Sequence, residues 1–138
     1  MEQTSRSRHE RFLVVRLAGQ EFAVPANRVC GMLQMRGLDA RPVENEGSLR
    51  YLAEVHGKSI PVLVPHARLG LKERPVSARS CVLLIRAEEE PHEARCGLMV
   101  DSISRMEDIS QAQQRPSGQI RLGDKWREVL NLDALCAA

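Results

Sequence analysis

Three observations predict a mainly β fold. Apolar stretches are short, and turn-forming residues separate them at close intervals, a rhythm typical of small barrels and sandwiches rather than of long helices. The chain has 138 residues, of which 43% are hydrophobic, enough for one domain or two small subdomains around a shared core. Sixteen Leu, twelve Val and five Ile compare with only four aromatic residues, Phe12, Phe22, Tyr51 and Trp126. We therefore expect an aliphatic β domain with no room for separate cofactor and substrate domains.

Eight stretches rich in β-branched residues predict strands that pair as four hairpins. Their connections are Ala18-Gly19-Gln20, His56-Gly57, the acidic loop from Glu88 to Glu93, and Gly123-Asp124. The predicted strands are Arg11–Leu17, Glu21–Val24, Arg50–Val55, Lys58–Val64, Ser80–Arg86, Arg95–Asp101, Gln119–Leu122 and Lys125–Leu130. The polar stretch from Lys72 to Arg79 suggests a division into two β modules.

A further strand is expected after the turn at Pro25. If Val29, Gly31, Leu33 and Met35 face inward, period-2 alternation turns Cys30, Met32, Gln34 and Arg36 to the other side. Exposed methionines on that side favour adaptable protein contacts. The alternative is a strand covered on both faces in the core between two barrels.

Helical signals are short. Pro25 and Pro65 can each begin a helical turn, because proline lacks an N–H that would be unpaired there anyway. Gly70 is a suitable stop for the second turn. Asn131 can cap a last helix, Leu132–Ala137.

Charge and hydropathy exclude several classes of partner. The net charge is +2, and this with the scarcity of aromatic residues argues against a nucleic-acid partner. The longest segment without Asp, Glu, Lys or Arg is Ser59–Ala67, far short of the roughly 20 residues of a membrane span. We therefore expect no membrane insertion and a cytoplasmic location, with residues 1–10 as a flexible tail and residues 11–138 as a single domain.

No pattern in the sequence selects a catalytic, cofactor or metal site. The four cysteines have no paired spacing, so we expect four reduced, mostly buried thiols. Asp101 follows an apolar strand and is interpreted as the end of that strand. Four histidines beside four cysteines leave one alternative open, a small β-barrel enzyme or ligand-binding protein that uses Cys and His residues.

Four segments, in this order, resemble the CheW family, the adaptors that couple bacterial chemoreceptors to the histidine kinase CheA. The first is a strand, a Gly turn and a second strand that ends in Pro, and the second is a Gly-x-x-Ile-Pro strand before Leu-Gly. The third is Gly-Leu-Met-Val-Asp, and the fourth is the closing strand and helix. They lie at Phe12–Val29, Gly57–Leu71, Gly97–Met106 and Val129–Leu135.

The resemblance implies two small five-stranded β-barrels that share a core, with short helices and a C-terminal helix. It also implies a non-catalytic scaffold that needs no cofactor. One barrel would pair with the regulatory domain of a CheA-type kinase, and a groove near the face between the barrels would receive the cytoplasmic tip of a methyl-accepting chemoreceptor. Such a protein would be recruited to receptor arrays.

One departure from the family pattern affects the partner site. The family turn commonly reads Asn-Leu-Arg-Gly, whereas this chain has Glu54-Val55-His56-Gly57. Imidazole does not reproduce the five-donor fork of guanidinium, so we expect His56→Arg to strengthen binding to a standard receptor and leave stability nearly unchanged. The predicted partner-binding residues are Met32, Gln34, Arg36, Glu54, His56, Gly57 and Lys58.

Overall fold

A computed structural model describes residues 9–44, 49–90 and 92–136. Over these residues the chain forms twelve strands, three short 3-10 turns and one helix. The strands are β1 His9–Leu17, β2 Gln20–Pro25, β3 Val29–Gln34, β4 Ala40–Pro42, β5 Leu49–Val55, β6 Lys58–Leu63, β7 Cys81–Arg86, β8 Ala94–Val100, β9 Ser102–Ser110, β10 Gln114–Arg115, β11 Gln119–Leu122 and β12 Lys125–Glu128, and the helix is α1 Leu132–Cys136. The mainly β fold class is thus confirmed.

The strands form three hydrogen-bonded sheets within the described residues. Their orders are β2-β1-β9, β10-β11-β12 and β3-β7-β8-β6-β5-β4. All four predicted hairpins are present, and the predicted strand ends agree with the observed ends to within two residues. Two of the three two-residue hairpin turns have the positive φ angles of a type I′ turn: 52° and 81° at Ala18 and Gly19, 51° and 79° at His56 and Gly57.

Three clusters of buried side chains organise these sheets into layers. β1 contributes to two of them, because Leu13, Val15 and Leu17 face one cluster and Phe12 and Val14 face another. β7 is shared in the same way between the first cluster and a third. Both strands are buried on both faces, which explains their unbroken apolar runs. The cluster between β1 and β7, which we call the shared core, joins two β halves and also holds α1. The expected pair of five-stranded barrels is not found in closed form, because the described strands form sheets of three, three and six strands.

The predicted division at Lys72–Arg79 is wrong. β6, before this stretch, pairs in parallel with β8, after it, so strands from both sides share the six-stranded sheet. β9 was also missed. It pairs along β1, but its only buried residue is Ile109, so it lacks the apolar run from which strands are predicted.

The short helical signals are confirmed. The 3-10 turns Ala26–Arg28 and Ala67–Leu69 follow Pro25 and Pro65, and Gly70 ends the second turn at φ 72°. The side chain of Asn131 accepts a hydrogen bond from the amide of Ala134 at the start of α1. Ala137, like residues 1–8 of the expected tail, lies outside the described residues. The expectation of a flexible tail is wrong at His9 and Glu10, which begin β1 and pair with β9.

The prediction of four reduced, mostly buried thiols is wrong. Cys96 of β8 and Cys136 of α1 form a disulfide across 40 residues of sequence. Cys30 is free and exposed, and Cys81 is free and half-buried. Sequence spacing could not reveal the disulfide, because the packing of α1 on β8 brings these cysteines together.

Candidate partner-binding surfaces

An apolar groove of about 240 Å³ opens at the rim of the shared core. Two of its lining side chains are the most exposed large hydrophobic residues described: Met32 is 55% and Met106 is 49% exposed. We call it the methionine groove, and it is lined by Leu13, Ala26, Val29, Gly31, Met32 and Met106. Because these residues come from β1, β3, β9 and the turn before β3, the groove lies where the two halves meet.

The strands place the groove side chains by their register. Leu13 of β1 lies opposite Met106 of β9, so the two side chains are cross-strand neighbours on one face. On β3 the residues alternate between half-buried and exposed, and Cys30, Met32 and Gln34 are exposed as predicted. Arg36 is exposed in the turn after the strand, and a register shift at Cys30 interrupts the pairing of β3 with β7. Gly31 lies where the backbone approaches β7, since an added Cβ would stand 2.9 Å from Leu84 Cδ1.

Ion pairs hold the polar side chains next to Met106. Arg105 Nη1 donates to Glu21 Oε2 at 2.9 Å, and its Nε donates to Glu107 Oε2 at 2.7 Å. The hydrogen bond from Arg105 is the main reason why the pKa of Glu21 lies below its ordinary value. Since neighbouring residues on a strand alternate faces, Arg105 and Glu107 are turned away from the face that carries Met106.

A second surface lies at the β5–β6 turn and is polar. We call it the hairpin end: Glu54, His56, Gly57 and Lys58, with Glu93 of the β7–β8 connection. Lys58 Nζ donates to Glu93 at 2.7 Å, and this hydrogen bond lowers the pKa of Glu93. Glu54 accepts a hydrogen bond from Ser59. Both members of the Lys58–Glu93 pair are exposed, so solvent screens their attraction.

The predicted partner residues are thus divided between two places. Met32 lies in the methionine groove, whereas Glu54, His56, Gly57 and Lys58 lie at the hairpin end. Gln34 is exposed on β3 like Met32, and Arg36 is exposed in the turn after β3, but neither lines the groove. Sequence reasoning missed Leu13 and Met106 as groove residues, because β9, which pairs with β1, had not been predicted.

One thiol shares a cavity with two imidazoles. A cavity of about 350 Å³ is lined by residues that include Cys30, His56 and His92. Cys30 Sγ donates to the main-chain carbonyl of Leu84 at 3.4 Å. Across residues 9–44, 49–90 and 92–136, no three His, Cys, Asp or Glu side chains form a group suited to a metal ion.

A buried polar contact connects the two halves behind these surfaces. His66 Nε2 lies 3.1 Å from Asp101 Oδ1, and His66 is buried. Asp101 Oδ2 also accepts a hydrogen bond from the amide of Ala18 at 2.7 Å. Asp101 lies between β8 and β9, as its interpretation as a strand end requires. One carboxylate therefore links the β1–β2 turn, the β8–β9 junction and the segment after β6.

Comparisons with known proteins agree with this architecture. The CheW-like domain model matches residues 11–133. Among solved structures, the chain is similar to the scaffolding protein TtCheW from Thermoanaerobacter tengcongensis, with 18% identity, a TM-score of 0.74 and 88% coverage of each chain. A comparison with curated proteins gives no significant match. In the described part of the chain, no helix is long and apolar enough to cross a membrane. Because the family model covers most of its length, this chain belongs to the CheW-like domain family.

Proposed function

We propose that this protein is a non-catalytic adaptor that couples chemoreceptors to a CheA-type histidine kinase in a chemosensory pathway. TtCheW, which has the same fold, is described as a scaffolding protein, and the family match extends over residues 11–133. The adaptor works in the cytoplasm and is recruited there to receptor arrays. The regulatory domain of the kinase and the cytoplasmic tip of the receptor are its two partners.

The methionine groove is the observation that carries this proposal. A receptor tip presents an α-helical surface, and an amphipathic helix buries its apolar side chains in a groove of this kind. Met32 and Met106 stand exposed on its two sides, and flexible thioether side chains adapt to the shape of a partner. We propose that the receptor tip binds in this groove and that Gln34, Arg36 and the hairpin end contribute polar contacts near it.

Titration calorimetry with a soluble receptor-tip fragment tests the groove. We expect Met32→Glu to weaken binding at least about ten-fold, because the complex would bury an unpaired carboxylate. Val76→Glu is the matched control, since Val76 is also an exposed hydrophobic residue but lies outside the groove. Equal loss of affinity in the two variants would contradict a specific groove site.

A binding experiment with both partners tests the adaptor role itself. The protein should bind the regulatory domain of the kinase and the receptor tip at the same time, and the three should elute together in size-exclusion chromatography. Absence of binding to both partners up to high micromolar concentration would overturn the proposed function.

The cavity that joins Cys30 with two histidines is the observation behind the alternative of a small Cys/His enzyme or ligand-binding protein. An activated thiol needs an imidazole as its base, whereas Cys30 donates to the Leu84 carbonyl. The rate of Cys30 alkylation distinguishes the adaptor from a Cys/His enzyme. We expect no change in His56→Ala or His92→Ala, and a marked fall in either variant would favour the enzyme.

A further inference from the structure

The Cys96–Cys136 disulfide joins a very short helix to β8. α1 spans five residues, far fewer than an isolated helix needs in water. Its own anchors are Leu132 and Leu135, which pack in the shared core. Cys96 is 2% exposed on β8, and the two cysteine Cα atoms lie 6.4 Å apart, inside the usual range for a disulfide. The cross-link therefore joins the last residue of α1 to β8 within the shared core.

Polar contacts connect α1 to one wall of the methionine groove. Asp133 of α1 accepts a hydrogen bond from Arg28 Nη2 at 2.8 Å, and Arg28 Nε donates to the carbonyl of Arg86 at 3.0 Å. Arg28 ends the turn Ala26–Arg28. Ala26 in this turn and Val29 directly after it both line the groove. The position of α1 is thus linked, through one arginine, to the backbone of the groove wall.

We propose that the Cys96–Cys136 disulfide is a redox-sensitive staple and that its reduction loosens the Ala26–Val29 wall of the methionine groove. As far as it concerns receptor binding, this inference rests on the proposed function. The oxidised form holds α1, Asp133 and Arg28 in place, so the groove is preorganised for its helical partner. In the reduced form α1 is retained by Leu132 and Leu135 and by exposed hydrogen bonds from Arg28 and Arg68, without a covalent link to β8. The partner must then order the groove wall as it binds.

The reaction is thiol–disulfide exchange with a dithiol reductant. A thiolate of the dithiol attacks the Sγ atom of half-buried Cys136, forms a mixed disulfide and releases Cys96 as a thiolate that takes up a proton. The second thiol of the reductant then displaces Cys136 and closes the reductant's own disulfide. Two electrons and two protons pass to the protein, which ends with two thiols. Attack at Cys136 is favoured because Cys96 is buried in the shared core.

The first experiment counts thiols in the denatured protein after purification without reductant and after treatment with dithiothreitol. We expect two thiols before treatment, from Cys30 and Cys81, and four after it. Cys81→Ser is the control variant, because Cys81 is free, and it should give one thiol before treatment and three after it. Four thiols in the untreated protein would overturn the proposal.

The second experiment measures the affinity of both redox forms for a soluble receptor-tip fragment. We expect reduction to weaken binding about five-fold, a typical size for coupling between two sites. Cys136→Ser should bind as weakly as the reduced protein with or without dithiothreitol, and Cys81→Ser should respond as the unaltered protein does. Equal affinity of the two forms would overturn the proposal.

The third experiment separates this inference from the proposed function. Amide hydrogen exchange between residues 26 and 29 should become faster on reduction, and Asp133→Asn should show the faster exchange even when oxidised. If neither redox form binds the receptor tip, the proposed function fails, and exchange alone then decides the inference. Exchange that is equal in the two redox forms would overturn it.

Discussion

The methionine groove and the hairpin end are both exposed, but they differ in what they offer a partner. The groove presents apolar side chains from β1, β3 and β9 around two exposed methionines. The hairpin end presents charges that already have partners, as in the pair of Lys58 and Glu93. Burial of apolar side chains near the centre of an interface contributes most of the binding energy of typical complexes, whereas an exposed ion pair contributes little. We therefore expect the groove to contribute most of the binding energy and the hairpin end to contribute less.

Loss of the Asp101 carboxylate, which links the β1–β2 turn to the segment after β6, should have the largest effect on stability. Asp101→Ala removes the acceptor of the Ala18 amide and of the His66 imidazole, and two donors would lose their buried partner. We expect the free energy of unfolding, measured by urea denaturation, to fall by about 2–4 kcal/mol. Asp108→Ala is the control, since Asp108 pairs with Arg11 in solvent, and a loss as small as in the control would contradict the role of Asp101.

Truncation within the groove should act on binding and not on folding. Met106→Ala removes the thioether side chain beyond Cβ from the groove, so we expect about five-fold weaker binding of the receptor tip, or roughly 1 kcal/mol. The unfolding free energy should stay unchanged because Met106 is half exposed. Met106→Leu should retain most of the affinity. A loss of the same size from Lys58→Ala at the hairpin end would remove the contrast between the two regions.

The ion pairs that support β9 predict a pH dependence of stability. Because the pKa of Glu21 lies below its ordinary 4.5, its pairing with Arg105 contributes stability above about pH 4.5, and that stability is lost as the pH falls through the lowered pKa. In urea denaturation, Glu21→Gln should reduce the fall in the free energy of unfolding between pH 5 and pH 3. At pH 7 the substitution should lower this free energy by less than about 1 kcal/mol. Glu128→Gln, at an exposed position of β12, should leave this pH dependence of the unfolding free energy unchanged.

Substitution at the hairpin end should have the smallest effect. His56 has φ 51°, and arginine also bears a Cβ, so His56→Arg keeps the same backbone strain and should leave the unfolding free energy within about 0.5 kcal/mol. We expect only a few-fold gain in receptor affinity, because a guanidinium pair on an exposed turn is screened by solvent. A gain larger than the loss in Met106→Ala would move the main contact to the hairpin end.

Local features of the fold could be predicted from sequence because their signals are local. The apolar run of β1 and the Gly turns after Leu17 and Val55 predicted two hairpins, and alternation predicted the exposed side of β3. β9 was missed because partners on β1, and not its own side chains, make it a strand. The parallel pairing of β6 with β8 depends on the path of the chain in space, which no local pattern encodes.

The site was predicted only in part for the same reason. Met32 could be proposed from the alternation on β3 alone. Its counterpart Met106 enters the groove through the pairing of β9 with β1, and the disulfide forms because α1 packs on β8. Such contacts between distant segments follow from tertiary structure, so they became visible only when the strands had been placed.

Methionine methyl NMR tests the central claim most directly, because the chain provides internal controls. Met32 and Met106 are exposed in the groove, whereas Met35 and Met99 pack in or against the cluster of buried side chains in the other half. On titration with a receptor-tip fragment, we predict that the methyl signals of Met32 and Met106 shift and that those of Met35 and Met99 do not. Shifts confined to the backbone amides of His56, Gly57 and Lys58, with both groove methyl signals unchanged, would contradict the account.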